Sequence, residues 1–189
     1  MTRINPVLAS SNPGPNAPLS DACQNSTQPA ASAEAAIRAW TAAGVQPSQL
    51  VLGVPSYGYI STSQATRLRQ RDQNASQPLV HALTDEGADN GQVQFRELVR
   101  QGVLCRDPTS PERYVGCAGF TREWDPCSST PFLHSETGSQ IITYDDAQSL
   151  ELKSAYAKES GILGINIFDV HGDTNEWELL NSLRLGLGL

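Results

Sequence analysis

Residues 50–59 have the sequence LVLGVPSYGY, in which an apolar run stops at Pro55 and two tyrosines follow, Tyr57 and Tyr59. Such a run predicts a strand buried on both faces, as in a parallel sheet, and parallel sheets hold ligands at the carboxyl ends of their strands. Flat rings with a polar tip suit sugars, because the C–H face of a pyranose packs on a ring while its hydroxyls form hydrogen bonds. The alternative is a turn with two packed rings, and on spacing alone that alternative is favoured.

A second apolar run, ILGINIF at 162–168, lies between two segments with helical periodicity, AQSLELKSAYAKES and WELLNSLRLGLG. Asp145 or Asp146 can cap the first of these helices, and Ser32 can cap an earlier one, AEAAIRAWTAAG. Helices that alternate with buried strands predict an α/β fold with a parallel sheet covered on both faces. Two strands are too few for such a sheet, so we expect the chain to be the last part of something larger.

The acidic net charge of the chain argues against two classes of partner, nucleic acids and anionic membranes. The chain has 189 residues, a formal net charge of −7 and a sequence pI of about 4.9. An acidic chain without a Lys/Arg stripe is a poor candidate for binding nucleic acid or an anionic membrane. No apolar run approaches the roughly 20 residues of a membrane span. We therefore expect no nucleic-acid or membrane partner, and a substrate that is neutral and polar.

The four cysteines, Cys23, Cys105, Cys117 and Cys127, include no C-x-x-C pair and no His-Cys cluster. This pattern argues against zinc and favours two disulfides, as in secreted proteins. Two N-x-[ST] sequons, beginning at Asn25 and Asn74, agree with export. The first 18 residues contain no apolar segment of a secretory signal. We therefore expect an extracellular parent protein whose beginning is missing from this sequence.

The segment after the second apolar run contains Asp169, His171 and Asp173. An H-x-D pair is compatible with a metal ligand or a general base. An acid here more often caps the next helix, and Asp173 with Glu176 three residues later fits a variant of the capping box. We therefore favour a cap over a metal, and we expect His171 to be a hydrogen-bond donor of the loop.

Further motifs follow one another in a fixed order: Trp124-Asp125, then Pro131-Phe132-Leu133, then YDD at 144–146 with Ser149. Each motif alone is explained as a turn, core or cap. Taken with LVLGVPSYGY, SLELKSAYAKESG, ILGINIFDVHGD and the segment NPGPNAPLSDAC, the series resembles glycoside hydrolase family 18, the chitinases and their relatives, of the fungal type. The likeness covers nearly the whole chain from about Ser10 onward.

The resemblance implies an α/β fold that is part of a (β/α)8 TIM barrel, about strands six to eight, with a small α+β insertion between the last two strands. LVLGVPSYGY would be the seventh strand and ILGINIF the eighth. The implied organisation is a barrel segment at 1–59, the insertion at 60–143, and the last barrel helix, strand and C-terminal helix at 144–189.

The resemblance also implies a site for chitin or N-acetylglucosamine oligosaccharides, with no cofactor and no metal. Its implied substrate-binding residues are Tyr57, Tyr59, Trp124, Asp125 and Phe168. Well-known members have tryptophan at the position of Phe168; phenylalanine keeps an apolar stacking face but loses area and the indole N–H. The implied disulfides are Cys23–Cys127 and Cys105–Cys117.

The acid that this chemistry needs is absent from the sequence. Family members carry D-x-x-D-x-D-x-E, whose glutamate protonates the glycosidic oxygen while the N-acetyl group of the substrate acts as nucleophile. The chain has no such motif, and Arg3-Ile4-Asn5-Pro6 stands where the family has M-x-Y-D. We therefore expect no catalytic residue in this chain, which is either part of a chitinase-like hydrolase or an inactive chitin-binding protein. A third, less favoured hypothesis is a scaffold without a ligand.

Overall fold

A computed structural model of the chain describes residues 13–26, 28–63, 68, 91–135 and 140–189. The stretch Arg3-Ile4-Asn5-Pro6, the sequon at Asn74 and part of the sequon at Asn25 lie outside these residues.

Most of the elements in the described part of the chain are short strands. The helices are α1 (Ala33–Ala42), α2 (Phe95–Arg100), α3 (Ala147–Glu159) and α4 (Glu178–Leu187). The strands are β1 (Val51–Pro55), β2 (Tyr57–Thr62), β3 (Gln92–Gln94), β4 (Leu104–Asp107), β5 (Ser110–Gly116), β6 (Phe120–Asp125), β7 (Thr130–Ser135), β8 (Gln140–Thr143) and β9 (Gly164–Phe168). Single turns of 3-10 helix cover Pro29–Ala31, Pro47–Gln49 and Val170–Gly172.

The two predicted apolar strands pair with each other. β1 and β9 are parallel, with Val51 opposite Gly164 and Pro55 opposite Phe168. α3 leads into β9 and packs on α4, where a Cβ added to Gly186 would lie 2.1 Å from Ser154 Oγ. The α/β character is as predicted. Within the described residues the sheets are partial and do not close into a barrel.

A five-stranded antiparallel sheet with the strand order β3-β2-β8-β7-β6 forms the middle of the chain, beside a hairpin of β4 and β5. This sheet begins at Tyr57. The chain leaves β1 at Pro55 and enters the second sheet at once, so both tyrosines belong to β2 rather than to the end of β1.

One hydrophobic core joins the two sheets and the last helices. Its fully buried members are Phe95, Leu98, Leu133, Ile142, Tyr144, Leu150 and Leu179. The ion pair between Lys153 and Asp145 is also buried, and Ser149 Oγ donates to the same carboxylate at 2.7 Å.

Two of the three helix caps predicted from the sequence are present. Ser32 Oγ accepts from Ala35 N at the start of α1, and Asp146 forms a capping box with Ser149 at the start of α3. For α4 the predicted capping box is wrong. The Asp173 carboxylate accepts from the N–H groups of Leu179 and Leu180, because the helix begins only at Glu178. Glu176 is outside the helix and pairs with Arg106.

Two disulfides, Cys23–Cys127 and Cys105–Cys117, are present. These are the pairings that the resemblance implies. The first joins the loop before α1 to the turn between β6 and β7, where Leu19 N also donates to Ser128 O at 2.9 Å. The second closes a short loop around the β4–β5 hairpin. Among the described helices, none has the length and apolar character needed to cross a membrane.

Candidate functional site

The chain passes from the first sheet to the second at Ser56. Its N–H donates to Phe168 O at 3.0 Å, and its own carbonyl accepts from Phe95 N at 2.9 Å. Its hydroxyl donates to Asp169 O at 2.6 Å. The carboxyl ends of β1 and β9 are therefore held together, and the residues that follow each strand emerge side by side.

Tyr57 and Tyr59 follow Ser56 on the same face of β2, because side chains two residues apart in a strand share a face. Their rings meet edge to face with centroids 5.8 Å apart. Asn16 fixes the backbone here, since its Nδ2 donates to Tyr57 O at 2.7 Å. Partial burial raises the pKa of the Tyr57 phenol, and the nearby Tyr59 and Asp169 add to the rise. The phenol is therefore neutral at physiological pH and can both donate and accept hydrogen bonds.

Phe168 ends β9, and its side chain is 66% exposed. The peptide bond to Asp169 is cis, and the Asp169 carboxylate caps the following turn by accepting from Gly172 N at 3.2 Å. The backbone carbonyl of His171 accepts from Arg96, and the role of His171 as a donor stays a prediction. No group of three or more His, Cys, Asp or Glu in the described parts of the chain could hold a metal ion.

Trp124 lies away from the two tyrosines. β6 is three strands from β2 in the sheet, or roughly 14 Å at the usual strand spacing. Tyr59 pairs with Thr143, Thr143 with Phe132, and Phe132 with Glu123, so Tyr59 shares its face with Glu123. Trp124 is the next residue and points to the opposite face.

On that opposite face, Arg122 covers one side of the Trp124 ring, with its guanidinium 5.7 Å from the ring centroid. The same guanidinium donates to the Asp146 carboxylate at 2.8 and 3.0 Å. Asp125 belongs to the β6–β7 turn, where it accepts from the N–H groups of Cys127 and Ser128. The structure thus places Tyr57, Tyr59 and Phe168 in one region but not Trp124 and Asp125, whose sugar contacts stay predictions.

Sequence reasoning missed three residues that contact the predicted site residues: Ser56 and Asn16 beside Tyr57, and Arg122 beside Trp124. Ser56 and Asn16 make contacts across 113 and 41 residues of sequence, respectively, and the local sequence carries no signal for either contact. Arg122 could have been found, since it lies two residues before Trp124 and therefore on the same face of β6.

The geometry at the strand ends suits a neutral polyol. An exposed apolar ring offers a stacking face, and the neutral Tyr57 phenol and the Asp169 carboxylate offer hydrogen-bond partners for hydroxyl and amide groups. This set of groups can bind and orient a sugar.

The comparisons with known proteins converge on one family. The family model for glycosyl hydrolases family 18 matches residues 5–173. A chitinase-like effector of Moniliophthora roreri is 30% identical over 93% of this chain and 46% of its own length. A chitinase of Rhizomucor miehei is similar in structure, with a TM-score of 0.72 and 29% identity over 94% of this chain and 49% of that one. Human YKL-39, a pseudo-chitinase with retained chitooligosaccharide-binding properties, has a TM-score of 0.71 and 21% identity over 97% of this chain and 50% of its own. The chain therefore spans about half the length of these proteins.

Proposed function

The chain belongs to glycosyl hydrolases family 18, and from this premise we propose that it is a chitinase-like protein that binds N-acetylglucosamine oligosaccharides at the joined ends of β1 and β9. We further propose that β1 and β9 correspond to the last two strands of the family's barrel. The observation that carries the proposal is the pairing of Pro55 with Phe168, which brings Tyr57 and an exposed phenylalanine ring to one edge.

The same proposal holds that the 189-residue chain alone does not hydrolyse chitin. Its sequence has no D-x-x-D-x-D-x-E motif, and general acid catalysis contributes about 10²–10⁴-fold to such reactions. Stacking on Phe168 and hydrogen bonding to Tyr57 do not depend on that acid. Retained binding in the human pseudo-chitinase supports the separation of binding from turnover in this fold.

The proposal includes an extracellular location. Its support is the pair of disulfides, because such bonds persist in oxidising compartments and are rare in the cytosol.

Binding is tested by titrating the chain with the tetrasaccharide of N-acetylglucosamine in a calorimeter. We expect F168A and Y57A each to weaken binding roughly 2–10-fold, the equivalent of about 0.5–1.5 kcal/mol for one ring. The matched control is W40A, since Trp40 is an aromatic residue with similar exposure, 59%, on α1. Removal of Trp40 should leave the affinity unchanged.

Turnover is measured on the same samples with a chromogenic chitobioside. We expect rates at background for the chain and for every variant. Two results would contradict the proposal: hydrolysis by the purified 189-residue chain, or tetrasaccharide binding that is equal in the wild type, F168A and Y57A.

A further inference from the structure

Ser56 is a buried hydroxyl residue, 1% exposed, between the two proposed sugar contacts. It directly precedes Tyr57 in sequence, and its backbone N–H and its hydroxyl bond to two successive carbonyls, those of Phe168 and Asp169. Its own carbonyl is bonded to the first residue of α2. One residue therefore touches the end of β1, the start of β2, the end of β9 and the insertion.

We propose that Ser56 is a positioning residue that fixes Phe168 relative to Tyr57 for oligosaccharide binding. This inference rests on the proposed function above. The backbone bond from Ser56 N to Phe168 O continues the ladder of β1 and β9 and survives any side-chain change. The hydroxyl bond to Asp169 O fixes the residue after Phe168, where the ladder has ended.

The hydroxyl has little freedom to move. A Cβ built on Gly172 would lie 2.0 Å from Ser56 Oγ and 2.5 Å from Ser56 Cβ, so the turn after Phe168 packs directly against the serine. The Asp169 carbonyl also accepts from Gly172 N at 3.1 Å and keeps that partner when the hydroxyl is removed. Loss of the hydroxyl therefore loosens the end of β9 at Phe168 without leaving the carbonyl of Asp169 unbonded. Binding then weakens because the rings are less pre-organised.

The chain contains a close chemical match for this arrangement in another place. Ser154 is 0% exposed, its hydroxyl donates to Glu151 O at 2.9 Å, and a Cβ on Gly186 would lie 2.1 Å from its Oγ. This contact joins α3 to α4 and involves none of the rings. S154A therefore removes the same kind of group from an equally tight contact and controls for a purely structural effect.

The first measurement is the affinity for the tetrasaccharide of N-acetylglucosamine. We expect S56A to bind about 5–10-fold more weakly than the wild type, and S154A to bind within twofold of it, while both variants show a similar fall in Tm. Equal affinities for S56A, S154A and the wild type would overturn the inference. If F168A and Y57A still weaken binding in that case, the proposed function stands.

The second measurement does not depend on a ligand. The chain has four phenylalanines, so biosynthetic labelling with 4-fluorophenylalanine gives four fluorine resonances, and F168L assigns the one from residue 168. We expect S56A to shift or broaden that resonance and S154A to leave it unchanged. If the wild type fails to bind sugar but S56A still shifts or broadens the resonance, the proposed function is overturned and Ser56 is retained as a residue that positions Phe168. An unchanged resonance in S56A would refute the inference.

Discussion

The ammonium group of Lys153 lies against the carboxylate of Asp145 where both are closed off from solvent. Burial raises the pKa of Asp145, because the loss of hydration outweighs the attraction of Lys153 and the hydrogen bond from Ser149. Since the folded pKa is above the unfolded value, the folded state holds the proton more tightly. The stability that this proton adds is present at acidic pH and is lost as the pH rises through the folded pKa.

Removal of the cation alone should be costly at neutral pH. K153M leaves an uncompensated buried carboxylate, and we expect it to lower the free energy of unfolding by about 3–5 kcal/mol at pH 7. The loss should be smaller at pH 4, where Asp145 can take up a proton. Urea denaturation at the two pH values measures both quantities. The double variant D145L/K153M should recover most of the loss, and an equal loss at both pH values would contradict this account.

At the scale of the elements, α4 packs closely against α3 at Gly186. Glycine inside a helix usually costs about 1 kcal/mol relative to alanine, so an alanine there would normally stabilise the protein. Here a Cβ would lie 2.4 Å from the carbonyl oxygen of Glu151 and would also clash with Ser154. To relieve the clash, the backbone of α3 would have to move, which costs free energy.

We therefore expect G186A to lower the free energy of unfolding by about 1–3 kcal/mol, whereas alanine in place of a helical glycine usually raises it. Thermal and urea unfolding followed by circular dichroism measure the effect. G164A is the control, because no atom lies within 4 Å of a Cβ at Gly164 in β9. A stabilised G186A would show that the two helices are less closely packed than described.

The sequence predicted those elements whose signals are local. Ser32 and Asp146 bond to backbone groups three residues away, and such spacings can be seen in a sequence. The cap of α4 was predicted only in part, since Asp173 reaches six and seven residues ahead. The order β3-β2-β8-β7-β6 has no local signal, and the face of Trp124 depends on that order. Phe168 ends β9 as expected, because an apolar run marks where its strand stops, whereas Tyr57 begins β2 instead of ending β1.

At the scale of the whole molecule, the first sheet is left with an open apolar side. Val51, the first residue of β1, is 51% exposed, and Leu163, the residue before β9, is 68% exposed. In the described residues β1 and β9 pair only with each other. Parallel sheets are normally covered on both faces, and unpaired strand edges bind other chains.

We therefore expect the 189-residue chain to self-associate at micromolar concentrations. V51K and L163K place charges beside the open edge and should shift the sedimentation profile towards monomer. L152K is the control, since Leu152 is exposed on α3 rather than beside the sheet. A monomeric wild type with a cooperative near-UV melt would contradict this expectation.

The Cys23–Cys127 bond closes a covalent ring across a sequence separation of 104, more than half the length of the chain. The second disulfide lies wholly inside that ring. A protease that cuts one peptide bond between Cys23 and Cys127 opens the ring without releasing a fragment. The nicked protein keeps its full mass on a non-reducing gel and separates into two bands only after a thiol is added. This difference between the two gels is a direct assay of ring closure.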